Sequence, residues 1–357
     1  MRRDPHALTA ALAERKRAGL ARVRHTFERP ADGEGAHLEV AGERLVNFSS
    51  NDYLGLARHP AVAEAMSRAA ARHGVGAGAS HLVSGHGREH AQLEEELAAF
   101  TQRERVLLFS TGYMANLGVI STLAGRGDTL LEDRLNHASL IDAARLSGAT
   151  VQRYAHADAP AATRLLEQAH SAGAAARGLL LVTDGVFSMD GDLAPLPQLA
   201  ASAARHQAWL IVDDAHGLGV LGAGGRGTLE HFGLTPAQVP VLVGTLGKAL
   251  GTFGAFVAGD AELIELLMQK ARSYIYTTAL PQAVAAATRA ALAIAIAEPW
   301  RRARVLALVQ RFRAGAQASG IALSDSMTPV QPVLLGDTFR ALAVSEQLRR
   351  DGFWVSA

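Results

Sequence analysis

The feature that most constrains this chain is a recurring alternation of a short apolar run, a turn of small residues and a helical stretch. Val106–Phe109 precedes Met114–Leu123, Leu179–Val182 precedes Leu196–His206, and the runs Leu210–Val212 and Val241–Val243 follow. Continuous apolar runs suit strands buried on both faces, and strands alternating with helices predict a mostly parallel, doubly wound α/β sheet. Ligands of such sheets bind outside the carboxyl ends of the strands. The polar residues that follow each run are therefore where chemistry is sought.

Other signals punctuate the chain. Leu45–Phe48 predicts a short strand leading into the polar turn Ser49–Asp52. Pro60 opens a helix that Gly74 stops. A glycine-rich link, Gly74–Gly78, precedes a glutamate-rich helix over Glu89–Phe100. From Pro281 onward the chain turns Ala-, Leu- and Arg-rich and helical. The expected organisation is an arm and short strand at 1–50, a large domain at 51–285 and a small α+β domain at 286–357.

Composition removes several function classes. Lys and Arg number 35 against 34 Asp and Glu, a net charge of +1, which leaves no basic footprint for nucleic acid. The absence of cysteine excludes disulfides, thiolate nucleophiles and cysteine-bound metals. No apolar run approaches the roughly 20 residues of a bilayer span, so a cytoplasmic protein without a membrane partner is expected. The Arg-rich start, Met1 to His25, carries Asp4 and Glu14, few serines, and Leu8, Leu12, Leu20 and Val23 at loosely helical spacing. These features predict an amphipathic arm that packs on the body or on a partner subunit, not a transit peptide.

Lys248 stands at the end of the run Val241–Gly251, among apolar and glycine residues, with Thr245 three positions before it. Lost hydration favours its neutral amine, the form that condenses with an aldehyde. Alone, the stretch reads equally well as a surface lysine at a strand end. Upstream, Trp209–Val212 leads into Asp213, Asp214, Ala215, His216 and Gly217. A carboxylate at that strand end can keep a pyridine nitrogen protonated, and Asp213 with Lys248 meets the two needs of pyridoxal 5'-phosphate. A lone Asp213 would more simply cap a helix.

The turn Phe109–Asn116 joins a strand to a helix, where free amides make an anion site and Gly112 admits a phosphate; an ordinary tight turn would look the same. Tyr113 adds an aromatic surface. His137, between Leu131–Asp133 and a helix, can stack on a pyridine ring or move protons, or simply be solvated. Asp184–Asp192 brings Ser188 to the same crevice; its acids lack the alternation and distal glutamate of a calcium loop. Gly222–Gly227 matches G-x-G-x-x-G without opening a compact βαβ unit, so a mobile turn is expected there. His81, His86 and His90 lack an accompanying carboxylate pattern, and no metal is expected.

With these residues in hand, the whole chain resembles the α-oxoamine synthases, a fold-type I family of pyridoxal-phosphate transferases. The resemblance rests on Asn47–Leu56, Gly185–Asp192, Asp213–Gly217 and Thr245–Lys248. It implies a large domain with a mostly parallel sheet sandwiched by helices, a small C-terminal domain, and a homodimer. It also implies that Lys248 binds the cofactor aldehyde and moves protons, that Asp213 pairs with the ring nitrogen, and that His216 bonds the phenolic oxygen. His137 would stack on the ring, with Ser188 near that oxygen and Thr245, Gly112 and Tyr113 near the phosphate. Thr277 and Thr278 match a segment that reaches the phosphate across the dimer. Arg22 and Asn47 match substrate-binding positions.

The implied reaction is a decarboxylative condensation of L-alanine with a pimeloyl thioester of coenzyme A or acyl-carrier protein. Glycine- and serine-using relatives vary the stretch after the paired acids, and Ala215–Gly219 looks like the alanine-using branch. In the family, the point matching Gly352–Ala357 runs on into an Ile-Arg-Pro-Pro segment whose arginine binds the amino-acid carboxylate. A bidentate partner of that kind is not readily replaced, so an incomplete small domain and poor turnover of alanine are expected. Two rival readings are a cofactor-binding protein without turnover, and a nucleotide-dependent oxidoreductase built on the Gly222 loop.

Overall fold

The computed structural model describes residues 5–30 and 35–357. Asp4 and the residues before it in the expected arm lie outside the described residues. In chain order the strands are β1 (Phe27–Glu28), β2 (His37–Val40), β3 (Glu43–Asn47), β4 (Arg105–Phe109), β5 (Thr129–Asp133) and β6 (Thr150–Tyr154). They continue with β7 (Leu179–Asp184), β8 (Trp209–Asp213), β9 (Val241–Thr245), β10 (Ala255–Gly259) and β11 (Phe353–Trp354).

The chain divides into two compact units, Asn51–Pro332 and a second made of Met1–Ser50 with Val333–Ala357. This differs from the expected division, which began the small domain at 286. The helix Gln282–Ala297 buries Ala285, Ala287, Ala291, Leu292 and Ala295 in the same apolar cluster as Leu93 and Leu97, and so belongs to the large unit.

The large unit holds a seven-stranded sheet in the order β4-β10-β9-β8-β7-β5-β6. All its neighbours pair in parallel except β10, which is antiparallel to both β4 and β9. Alternate residues feed opposite cores. Leu107, Leu180, Ile211 and Val243 pack with the helices Gly112–Leu123, Ala138–Ser147 and Ala261–Lys270 on one face. Leu108, Leu181, Val212 and Leu242 pack with Arg88–Thr101, Ala159–Ser171, Leu196–Arg205 and Gln282–Ala297 on the other. The central strands are covered by helices on both faces, which is why they read as unbroken apolar runs.

In the smaller unit β11 joins β3 in parallel, in a sheet ordered β1-β2-β3-β11. Its core is Leu38, Val40 and Leu45 against Trp354. The arm forms a helix, Pro5–Arg17, whose Leu8 and Leu12 are exposed. No single described helix is long and apolar enough to cross a membrane; Gln282–Ala297 and Trp300–Ala318 pass only as a pair bent by 72°.

Candidate active site

Strands β7 and β8 end on Asp184 and Asp213, which stand opposite each other in register. Both are buried. Asp213 accepts hydrogen bonds from Asn116 Nδ2 at 2.6 Å and from the Ala215 amide at 3.0 Å. Asp184 accepts the His137 amide at 2.6 Å, while burial and then the charge of Asp213 push its carboxyl well above the usual range. Asp214 turns away from this pair and takes the Thr228 amide at 2.7 Å. A Cβ on Gly217 would lie 2.1 Å from its Oδ1, so the glycine is required for close approach. Burial raises the Asp214 carboxyl to about 8.

Lys248 lies in the short loop between β9 and β10. That loop is fixed by Leu246 and Thr252 bonding across it, and by Gly251, which has a positive φ of 66° and where a Cβ would lie 2.3 Å from the Ala57 amide nitrogen. Lys248 Nζ is 2.9 Å from His216 Nε2, and His216 Nδ1 is 2.7 Å from the Tyr53 hydroxyl. Burial lowers the Lys248 ammonium's pKa, against the opposing charges of Asp213 and Asp184. Burial, helped by Lys248 and His137, lowers His216 to about 3, so its imidazole is neutral.

The helix Gly112–Leu123 begins beside β4. Thr111 caps it by accepting the Met114 amide at 3.2 Å, and the first-turn amides of Gly112 and Tyr113 have no preceding helical carbonyl to bond. Nothing stands within 4 Å of where a Gly112 Cβ would be, so the approach is open. Tyr113 is partly exposed and donates to Asp142 at 2.6 Å. His137 caps the helix Ala138–Ser147, its Nδ1 2.7 Å from Ser139 Oγ and its ring exposed.

The remaining expected residues are distributed as follows. Thr245 ends β9 and donates to the Gly254 carbonyl at 3.2 Å. Ser188 is half-buried in a turn closed by the Val186–Leu193 bridge. Thr277 Oγ1 donates to the Ser273 carbonyl at 2.7 Å, and the Thr278 carbonyl lies 3.4 Å from Ser110 Oγ, beside the Gly112 turn. Arg22 and Asn47 belong to the smaller unit, where Arg22 is exposed and Asn47 Oδ1 accepts the Ser49 amide at 2.9 Å.

A family model for class I and II aminotransferases matches residues 43–357. The 8-amino-7-oxononanoate synthase of Methylococcus capsulatus is 61% identical over 98% of this chain and 88% of that protein. The chain belongs to the 8-amino-7-oxononanoate synthase family. A second relative of that name, from Thioalkalivibrio sulfidiphilus, is 58% identical over 98% of this chain and 88% of that protein. A serine palmitoyltransferase from S. paucimobilis, solved with pyridoxal phosphate joined to myriocin, superposes with a TM-score of 0.90. It is 29% identical over 99% of this chain and 92% of that one. The 8-amino-7-oxononanoate synthase of Francisella tularensis gives 0.76 at 32% identity, over 87% and 88% of the two chains.

The family is one of acyltransferases dependent on pyridoxal phosphate, on the fold-type I scaffold. The residues present fit that cofactor. An aldehyde needs an amine that sheds its proton, a pyridinium needs a carboxylate, and a phosphate needs free amides; Lys248, Asp213 and the Gly112 turn supply them within one unit. Beside them Asn116 Oδ1 is buried with no partner among the described residues.

The Gly222–Gly227 loop is not the free turn expected from the sequence. The amides of Gly224 and Arg226 both bond the Glu230 carboxylate, at 2.9 and 3.0 Å, and Arg226 Nη2 adds a third contact at 2.5 Å. Its anion nest is filled by the protein's own acid, which leaves no room for a dinucleotide. The histidines His81, His86 and His90 do meet, with 3.0 Å between the Nδ1 atoms of His81 and His86. His90, however, spends both ring nitrogens on backbone, at Gly87 and Leu280.

Asn116, Asp184 and Tyr53 carry no site role in the sequence reading. Asn116 had a signal: it is the one strongly polar side chain in the first turns of the apolar helix that opens at Gly112. Asp184 had one in its position at a strand end, and Tyr53 had none.

Proposed function

We propose that this chain condenses L-alanine with a pimeloyl thioester of coenzyme A or acyl-carrier protein. The products are 8-amino-7-oxononanoate, CO2 and the free thiol, a step of biotin biosynthesis. The observation that carries this reading is the half-buried Lys248 amine, set against His216 in the field of Asp213 and Asp184. Bound pyridoxal phosphate supplies an aldehyde for an amine and a ring that accepts electrons from the α-carbon. In this reading Asp213 keeps the ring nitrogen protonated, and Gly112, Tyr113, Thr245, Thr277 and Thr278 hold the phosphate. Ser188 and His216 steady the phenolic oxygen. Lys248 Nζ, whose affinity for a proton burial lowers, takes the α-proton of alanine and later returns one to product. His137 lies against the ring face, and Arg22 and Asn47 orient the acyl and amino-acid carboxylates. The assembly is a cytoplasmic homodimer, with Thr277 and Thr278 acting across the subunit boundary.

Reconstitution with pyridoxal phosphate, borohydride reduction and peptide mapping test the reading. The label is expected on Lys248, and Lys248→Ala should lower kcat by about 10²- to 10⁴-fold without unfolding the protein. Turnover assays with L-alanine, glycine and L-serine test the substrate. A preference for glycine or serine would move the chain to another branch, and a label elsewhere would end the assignment of Lys248.

A further inference from the structure

Beyond the residues assigned above, Tyr53 occupies a position with a defined consequence for Lys248. It lies in the turn after Ser49–Asp52, far from Lys248 in sequence, and its side chain is half-buried. Its hydroxyl is 2.7 Å from His216 Nδ1 and 3.2 Å from Asn51 Oδ1. On the far side of the same ring, His216 Nε2 is 2.9 Å from Lys248 Nζ. Tyr53, His216 and Lys248 therefore form a continuous chain of three groups.

A neutral imidazole has one N–H, so the nitrogen that accepts from one neighbour forces the other nitrogen to donate. Burial holds His216 neutral and keeps the Tyr53 phenol protonated. The phenol proton can go to His216 Nδ1 or to Asn51 Oδ1. The shorter contact is to Nδ1, and an accepting Nδ1 leaves the ring proton on Nε2, directed at Lys248. An N–H there needs a lone pair on the amine, which the ammonium lacks.

We propose that Tyr53 is a positioning residue that sets the His216 tautomer so that Nε2–H donates to the neutral Lys248 amine. The groups that bear on Lys248 are then Asp213 at the end of β8, Asp184 at the end of β7, and His216, on which His137 bears in turn. The two carboxylates favour the ammonium. Tyr53, through His216, opposes them. This rests on the reading of Lys248 as the amine that binds the cofactor, and extends it to how that amine is kept uncharged.

The test uses cofactor-free protein and a small amine-reactive acylating reagent. The labelling rate of the Lys248 peptide is followed against pH for the parent chain and for Tyr53→Phe. Losing one hydrogen bond of ordinary strength should slow labelling near neutral pH by about three- to tenfold and move the profile to higher pH. An unchanged profile, or a shift to lower pH, overturns the proposal. Nitrogen NMR of the parent chain gives a second readout independent of any variant's folding. His216 should carry its proton on Nε2, and a proton on Nδ1 overturns the proposal. Borohydride mapping of the reconstituted protein separates the two levels: a label on Lys248 with an unchanged Tyr53→Phe profile defeats the tautomer mechanism alone.

Discussion

Asp213 is held in place by neighbours that are themselves buried. Asn116 Nδ2 reaches both Asp213 Oδ2, at 2.6 Å, and Ser139 Oγ, at 2.9 Å. Ser139 in turn touches His137, so one amide links the carboxylate proposed to hold the ring nitrogen to the residue proposed to face the ring. Asn116→Ala leaves a buried carboxylate and a buried hydroxyl without that donor. The expected cost is about 1–3 kcal/mol of folding stability, read from the denaturant midpoint at constant m, with faster loss of pyridoxal phosphate on dialysis. Lys248, Asp213 and His216 were legible as residues because each follows an apolar run at a strand end. Asn116 and Tyr53 act through partners 97 and 163 positions away, and no local pattern encodes such a pairing.

Among the elements, the ends of β5, β6 and β7 are tied by a single imidazole. His156, just past β6, bonds Asp133 at the end of β5 through Nδ1 at 3.1 Å. Through Nε2 it bonds Asp192, in the turn that carries Ser188, at 2.9 Å. Burial works against the charged ring, yet the bonds and charges of Asp133 and Asp192 raise its pKa above 6.5. A raised histidine pKa stabilises the fold fully below the unfolded value of about 6.5 and ceases to do so as pH rises through the folded value. The melting temperature of the parent chain minus that of His156→Gln should therefore be largest at or below about pH 6.5 and shrink on the alkaline side. A difference that grows with pH would contradict the arrangement. The buried strands were readable from their apolar runs. The edge strand β6 mixes polar residues into Thr150–Tyr154, and β10 is a short run whose antiparallel direction follows from the tight Lys248 loop, so neither announced itself.

For the molecule as a whole, Asp214 links stability to pH. Its carboxyl is buried, takes the Thr228 amide and titrates at about 8 in the fold against an ordinary 3.8. The folded state keeps a proton that the unfolded chain releases, so this contribution is full below the unfolded value and is lost as pH rises through about 8. Stability should fall across that window and level off above it. Asp214→Asn, which keeps the acceptor for Thr228 but cannot ionise, should flatten the fall in thermal melts recorded from about pH 4 to 9. An equally steep fall in the variant would assign the slope to other groups.

By itself, the sequence determined the layered α/β architecture, the strand ends that carry polar residues, and a candidate lysine and pair of acids among them, because apolar period and turn residues are local properties. Only the tertiary structure decided which of the paired acids faces the site, since Asp213 and Asp214 are neighbours in the chain and differ by the direction in which β8 releases them. It also decided that Gln282–Ala297 joins the large unit and that Glu230 fills the glycine loop. Those outcomes depend on which distant surfaces meet, and a linear pattern carries no record of that.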